Sequence, residues 1–228
     1  MLIGCNSRTD GIVRMKECFC HSRIFALIFS GRFFCGVTTM QNHGNLTVRQ
    51  KIQQITVSGL FTALSFVLML LFRIPLFTPF YELEFSDFPL LMCAFVVGPS
   101  YSLVSLFIVS ILQMLTVSSF SGIIGFIMHF VSSAAMIMIV YFIRKRINGI
   151  KGVIISAIAG ILVMTAVMIP MNIWLTSVFM KLPVNKFIDG YIGVCIAFNV
   201  IKSLCNIILF NILYPVVLKQ YNKMFNKK

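Results

Sequence analysis

The residue best suited to chemistry in this sequence is Lys202, the single charged residue between positions 190 and 218. A lysine near mid-depth in a membrane helix costs about 2.5–3.5 kcal/mol, so it is expected either to contact a ligand or to pair with another group inside the protein. Asn199 lies three positions earlier, which puts both side chains on one face of a helix. That face offers an amide beside a cationic donor, and it suits a ligand with carbonyls, ring nitrogens or hydroxyls.

Four of the predicted helices contribute polar side chains at a similar depth. Counting inward from the predicted helix ends, at about 1.5 Å per residue, places five of them in the outer half of the membrane: Gln113, His129, Asn172, Asn199 and Lys202. Asn172 follows Pro170, and a proline bends a helix in a way that commonly lines cavities. His129 and Asn172 are each also compatible with a simple hydrogen bond between helices. The shared depth predicts a polar binding site in one half of the bundle.

The composition requires a membrane environment for these residues. The chain of 228 residues is 59% hydrophobic and 11% charged, with a mean hydropathy of +0.96, whereas soluble domains carry about 25% charged residues. No charged residue occurs in 88–143 or in 152–180. Uncharged apolar runs of this length belong in lipid, and they exclude an ordinary soluble domain.

The expected fold class is an all-α integral membrane protein, a bundle of six transmembrane helices. Breaks at glycine, proline and polar clusters place the spans near 55–72, 88–97, 101–115, 123–143, 153–179 and 191–218. The second is shorter than the usual ~17–25 residues, and the alternative is that it forms one kinked helix with the third. Six spans put the three basic segments on one side, so both termini are predicted to be cytoplasmic. These segments are Arg49 with Lys51, 144–151, and 219–228.

The two ends of the chain differ from the membrane domain at 47–221. Residues 1–46 form an N-terminal extension with four of the seven cysteines, and we expect it to be disordered or not translated, with Met40 as a possible start. Residues 222–228 form a basic cytoplasmic tail. The net charge of +13 comes from basic residues that cluster at span ends, which is typical of topology determinants rather than of a nucleic-acid-binding surface.

The sequence contains no recognisable catalytic machinery. Three acidic residues, Glu82, Glu84 and Asp87, fall in the loop after the first span, so the spans are predicted to contain no carboxylate and no proton relay. There is no P-loop, no H-E-x-x-H motif and no G-x-S-x-G frame. The cysteines show neither metal-ligand spacing nor a disulfide framework. We therefore expect no enzymatic activity, no metal and no cofactor.

Small residues follow one face of the first span. Gly59 and Ala63 are four positions apart, a spacing that lets two membrane helices approach closely. This face is predicted either to pack inside the bundle or to receive the helix of a partner protein.

Several stretches, in order, resemble one family of membrane proteins. They are Gly59-xxx-Ala63, FYELEFSDFPLLMCAFVVGP (80–99), LQMLTVSSFSGIIGFIMHF (112–130), TAVMIPMN (165–172) and FNVIK (198–202). The chain is similar to the substrate-binding S components of energy-coupling factor (ECF) vitamin transporters, in particular to the riboflavin-binding branch. The resemblance covers about 47–221.

The resemblance implies a site open to the outside of a bacterial plasma membrane, roofed by the loop that contains Tyr81. Riboflavin, as a transported ligand rather than a cofactor, would be hydrogen-bonded by Asn172, Asn199 and Lys202. The outer-half residues Gln113 and His129 are candidates for the same site. The resemblance also implies docking of the Gly59–Ala63 face onto a membrane scaffold subunit that carries two ATPase subunits.

Three alternatives remain from the sequence. Within the same class, the ligand is another vitamin or a nucleobase-like precursor. From a different class, the chain is an intramembrane enzyme that uses His129 and Lys202, or a structural membrane partner. The absence of a nucleophile–base pair disfavours the enzyme, and the shared depth of the polar residues disfavours a purely structural role.

Overall fold

The computed structural model describes residues 48–76, 82–116, 122–147, 149–176 and 184–225. These contain six helices: α1 (Val48–Leu71), α2 (Asp87–Val96), α3 (Pro99–Thr116), α4 (Gly122–Arg146), α5 (Ile150–Met171) and α6 (Val184–Phe225). All but α2 are long and apolar enough to cross a membrane, and α2 is a shorter apolar helix. The prediction of an apolar helix bundle is confirmed at this level. The predicted N-terminal extension and Tyr81 lie outside the described residues.

The uncharged run at 88–143 is divided where glycine and proline meet. Gly98 has a φ of 143°, a conformation that residues with a Cβ rarely adopt. Pro99 begins α3, and a proline is well tolerated at the first position of a helix because its missing N–H is not needed there. The chain therefore forms two separate helices at this point, and the alternative of one kinked helix is wrong.

The ten-residue helix α2 occupies the centre of the bundle. It packs against α1, α3, α4 and α6, and every one of its residues except Phe95 is buried. By contrast, α1 exposes large apolar side chains such as Leu60 and Leu71, as expected of a helix that faces lipid. Because α2 is surrounded by protein, its length of about 15 Å is not constrained by the thickness of the lipid.

Two neighbouring helices approach each other closely at a glycine. A Cβ added to Gly160 on α5 would lie 2.6 Å from Val140 Cγ2 on α4. Small residues permit such close packing between membrane helices. This contact holds α4 and α5 together in the half of the bundle away from His129.

The segment before α2 contains a feature that the sequence analysis did not predict. Ile74–Pro75 (β1) and Glu82–Leu83 (β2) form a two-stranded antiparallel ladder, flanked by an ion pair between Arg73 and Glu82. Prolines exclude a helix here but are compatible with a short edge strand. The ladder turns the chain back towards α1 immediately before α2 begins.

The end of α5 departs from regular helix where the proline predicted a bend. Pro170 lies in the last turn of α5, and residues Asn172–Thr176 continue as a π-helical turn. A proline lacks the N–H that would continue the helical hydrogen bonds, and π-helical turns occur frequently at functional sites. This turn packs against α6.

Candidate functional site

The charge of Lys202 is matched by a carboxylate that comes from the segment before α2. Lys202 Nζ lies 2.7 Å from Glu84 Oε1, and both side chains are more than nine-tenths buried. The sequence is compatible both with a ligand contact of Lys202 and with a pair inside the protein, and the structure shows the pair. An ammonium has three N–H donors, so Lys202 retains donors for a second acceptor while it holds Glu84.

Two more of the predicted site residues meet at the same carboxylate. Gln113 Nε2 on α3 lies 3.3 Å from Glu84 Oε1 and 3.4 Å from Oε2. His129 Nε2 on α4 lies 3.8 Å from Glu84 Oε1, and its Nδ1 lies 2.8 Å from the hydroxyl of Ser110. Three residues that were predicted to share a depth, from three helices, are therefore brought together around Glu84.

A second carboxylate lies inside the bundle beside His129. Asp87, the first residue of α2, is completely buried, and its Oδ1 lies 3.8 Å from His129 Nε2. Neither of its carboxylate oxygens has a hydrogen-bond partner among the described residues. The expectation that acidic residues stay outside the bundle is wrong, because the ladder and the start of α2 fold Glu84 and Asp87 into it.

The side chain of Asn206 fixes the acidic segment to α6. Its Nδ2 donates to the backbone carbonyl of Glu84 at 3.1 Å, and its Oδ1 accepts from the N–H of Phe88 at 3.1 Å. On the opposite side, the hydroxyl of Ser65 on α1 donates to the carbonyl of Ser86 at 2.6 Å. The segment 84–88 is thus held from both sides by hydrogen bonds to buried side chains.

The ionised form of Glu84 is favoured by its neighbours. Burial by itself raises the pKa of a carboxyl group, but Lys202, then His129 and Arg73, act in the opposite direction, and the pKa of Glu84 lies below its usual value. Lys202 is therefore the counter-charge of Glu84 among the described residues.

Asn199 presents a buried polar atom that has no partner among the residues that the structure describes. It is completely buried one turn before Lys202. Its Nδ2 donates to the carbonyl of Cys195 at 2.8 Å, whereas its Oδ1 has no hydrogen-bond partner in the described part of the chain. A buried acceptor without a partner costs about 1–3 kcal/mol, so the site contains an acceptor suited to a ligand N–H.

Asn172 lies in the π-helical turn, where it is buried. Its Nδ2 donates to the carbonyl of Met168 at 2.9 Å. Since the turn packs against α6, the structure places Asn172 beside the helix that carries Asn199 and Lys202.

The small-residue face of α1 points away from the bundle. Gly59 and Ala63 are both exposed, and a Cβ added at Gly59 would meet no atom within 4 Å. The structure therefore leaves both residues of this face accessible rather than packed in the interior of the bundle.

The chemistry of the cluster is that of binding. Among the described residues, no group of three or more His, Cys, Asp or Glu side chains is placed to hold a metal ion. The cluster offers ammonium and amide donors, carboxylate acceptors and two amide oxygens, Gln113 Oε1 and Asn199 Oδ1, that have no partner among the described residues. Of the predicted site residues, the structure brings Gln113, His129 and Lys202 together around Glu84, whereas Glu84 and Asp87 were not predicted to lie there. The signal that could have found them is Lys202 itself, because a buried ammonium requires a counter-charge.

Comparisons with known proteins agree with the sequence resemblance. The family sequence model described as "ECF transporter, substrate-specific component" matches residues 53–218. The riboflavin transporter FmnP of Bacillus subtilis (strain 168) is 25% identical over 173 residues, covering 72% of this chain and 91% of that protein. The riboflavin transporter RibU of Staphylococcus aureus (strain TCH60) is 28% identical over 187 residues, covering 77% of this chain and 95% of that protein.

Two solved structures share the fold. A structure reported as the S component of a bacterial ECF transporter superposes with a TM-score of 0.62 at 24% identity, covering 78% of this chain and 99% of that chain. The S component for biotin from an ECF-type ABC transporter superposes with a TM-score of 0.53 at 20% identity, covering 74% of this chain and 94% of that chain. At these identities the likeness extends to the fold alone.

Proposed function

The chain belongs to the family of substrate-specific components of ECF transporters, and we propose that its substrate is riboflavin, captured from outside the cell. Both curated relatives described above are riboflavin transporters. The family consists of transporter components, so the chain is not an enzyme and its ligand is cargo rather than a cofactor. The alternative of an intramembrane enzyme is thereby excluded.

The observation that carries the choice of site is the unpartnered amide oxygen of Asn199, one helical turn from Lys202. A flavin ring presents two carbonyls and an imide N–H along one edge, which amide and ammonium groups can match. In our proposal Asn199 Oδ1 accepts from the imide N–H, and Lys202 donates to a flavin oxygen while it keeps Glu84. Asn172 supplies a further amide from the π-helical turn.

The remaining candidates surround this contact. Gln113 and His129 hold Glu84 and thereby hold Lys202 in position. The loop that contains Tyr81 is proposed to roof the site, with Tyr81 facing the ligand. An apolar bundle with a few convergent polar groups is the usual form of a small-molecule site.

We propose that all six helices cross the membrane of a bacterial cell, with both termini in the cytoplasm. The buried helix α2 makes the second, short crossing inside the bundle, because protein and not lipid surrounds it. The basic residues at the end of α4, Arg144, Lys145 and Arg146, and those near the end of α6 then lie on the cytoplasmic side. The cluster around Glu84 lies in the outer half, as uptake from outside requires.

The exposed Gly59–Ala63 face is proposed to dock onto the scaffold subunit of an ECF module with two ATPase subunits. The chain has no P-loop, so energy must come from a partner. An exposed small-residue face on a membrane helix allows a second helix to approach closely.

The absorption spectrum of protein purified from riboflavin-replete cells tests the choice of ligand. We expect the purified protein to be yellow and to show the visible absorption bands of a flavin. The amount of flavin is expected to be one molecule per protein molecule. A colourless protein that binds no added riboflavin would favour the alternative of another vitamin or a nucleobase-like precursor. The biotin-binding structure with the same fold shows that the fold alone does not choose the ligand.

A further inference from the structure

A second buried cation lies at the opposite end of α4 from His129. Arg144, in the last turn of α4, is 4% exposed. Its Nε donates to the hydroxyl of Ser156 on α5 at 3.2 Å, and its Nη2 donates to Oδ1 of Asn211 on α6. A guanidinium has five N–H donors, and these two bonds use only part of them.

Aromatic rings enclose the same guanidinium. Its central carbon lies 4.8 Å from the ring centre of Phe210 and 5.5 Å from that of Phe95. Tyr214 packs against the same two rings, with its ring centre 5.7 Å from that of Phe95 and 5.2 Å from that of Phe210. The hydroxyl of Tyr214 is buried and has no hydrogen-bond partner among the described residues.

No carboxylate of the described chain neutralises Arg144. Glu84 is bound to Lys202. Lys202 lies nine positions before Asn211 on α6, a separation of about 14 Å along the helix axis. Glu82 pairs with Arg73 and Asp87 lies beside His129. Asp189 lies 22 positions before Asn211 in the chain, about 33 Å along the axis of α6. The two other acidic residues of the sequence, Asp10 and Glu17, lie outside the described residues.

A buried guanidinium among neutral groups lacks the counter-charge that normally offsets its loss of hydration. An anion with several acceptor oxygens matches the unused guanidinium donors, and the Tyr214 hydroxyl is a further donor that has no partner among the described residues. Exposed Lys145, Arg146 and Lys151 surround this end of the bundle and favour the approach of an anion. Phosphate oxygens match the guanidinium fork in pairs.

We propose that Arg144 and Tyr214 bind the phosphate group of an anionic phospholipid at the end of α4. Arg144 lies in the last turn of a membrane-spanning helix, which is at the depth of the lipid headgroups. Basic sites between membrane helices recognise anionic headgroups. This site is separate from the cluster at Glu84, so it stands whether or not riboflavin is the substrate. Free phosphate has the same chemistry, and the experiment distinguishes the two sources.

The test uses the full-length protein in non-ionic detergent with phosphatidylcholine, to which phosphatidylglycerol is added. Thermal unfolding is followed as a function of lipid concentration. At a hundredfold excess over the dissociation constant, phosphatidylglycerol is expected to raise the Tm by about 5–10 °C, with saturation. Arg146→Gln, which removes a neighbouring exposed charge, is the matched control and is expected to keep the shift.

Arg144→Gln is expected to abolish the shift, and Arg144→Lys, which keeps the charge but not the paired geometry, to reduce it. If Arg144→Gln does not fold, the Tm shifts of Arg144→Lys and Arg146→Gln are compared instead. A smaller shift in Arg144→Lys supports the site, and equal shifts overturn it. An equal shift with inorganic phosphate in phosphatidylcholine alone would overturn the lipid as the source. Equal Tm values of the wild-type protein in the two lipids, or a full shift in Arg144→Gln, would overturn the site.

Discussion

Glu84 and Lys202 are 118 positions apart in the sequence, and their side chains meet inside the bundle with 2.7 Å between Oε1 and Nζ. The pair joins the segment before α2 to the middle of α6. Gln113 and His129 approach the same carboxylate from α3 and α4. This ion pair therefore links most of the helices that form the candidate site.

The first prediction concerns the stability that this pair provides. Lys202→Met and Glu84→Gln each leave one buried partner without its counterpart, and each is expected to cost about 3–5 kcal/mol. The double variant removes both charges of this pair, so we expect it to be more stable than Lys202→Met alone. Thermal unfolding of the three variants in one detergent measures this. A double variant whose loss equals the sum of the two single losses would contradict a direct pair.

The second prediction concerns the anchoring of the acidic segment by Asn206. Asn206→Ala removes the acceptor of the Phe88 N–H and a donor to the Glu84 carbonyl, and each unsatisfied buried group costs about 1–3 kcal/mol. The Tm is expected to fall clearly. Gln220→Ala, at an exposed position on the same helix, is the control and is expected to leave the Tm unchanged. Equal Tm values for the two variants would show that the anchor contributes nothing.

The membrane helices were largely predictable from the sequence, whereas the ion pair was not. Runs without charge determine which residues can face lipid, and the sequence Gly98-Pro99 interrupts a helix by its backbone chemistry alone. The position of Glu84 depends on a short ladder and on hydrogen bonds from Ser65 and Asn206, which are tertiary contacts. Hydropathy assigns such a carboxylate to solvent, because it does not include the partner that offsets the cost of burial.

The third prediction concerns assembly with the ECF module. Gly59→Leu fills the exposed small-residue face, and because a Cβ at Gly59 meets no neighbour, the isolated protein is expected to fold and to bind riboflavin normally. Co-purification with the module is expected to be lost, and Ala63→Leu should behave in the same way. Val104→Leu, at an exposed position on α3, is the control. Reduced riboflavin binding with intact assembly would contradict the docking role.

The fourth prediction concerns the N-terminal extension. A chain that begins at Met40 is expected to insert into the membrane and to bind riboflavin like the full chain, because residues 1–39 precede the region that matches the family. Membrane fractionation and riboflavin titration of both proteins measure this. A large loss of affinity in the shorter chain would assign the extension a role in the site.

The measurement that tests the proposed function most directly is a riboflavin titration of the purified protein, followed by quenching of flavin fluorescence. The wild-type protein is expected to bind one riboflavin, and Asn199→Ala to weaken binding by about 5- to 150-fold, because the imide N–H of the flavin loses its acceptor. Lys202→Ala is expected to weaken it by at least as much, with a lower Tm, since Glu84 is left unpaired. Gln220→Ala, at an exposed position on α6, is expected to bind like the wild-type protein. Wild-type affinity in both Asn199→Ala and Lys202→Ala would contradict the proposed site, and no binding to the wild-type protein would contradict riboflavin as the substrate.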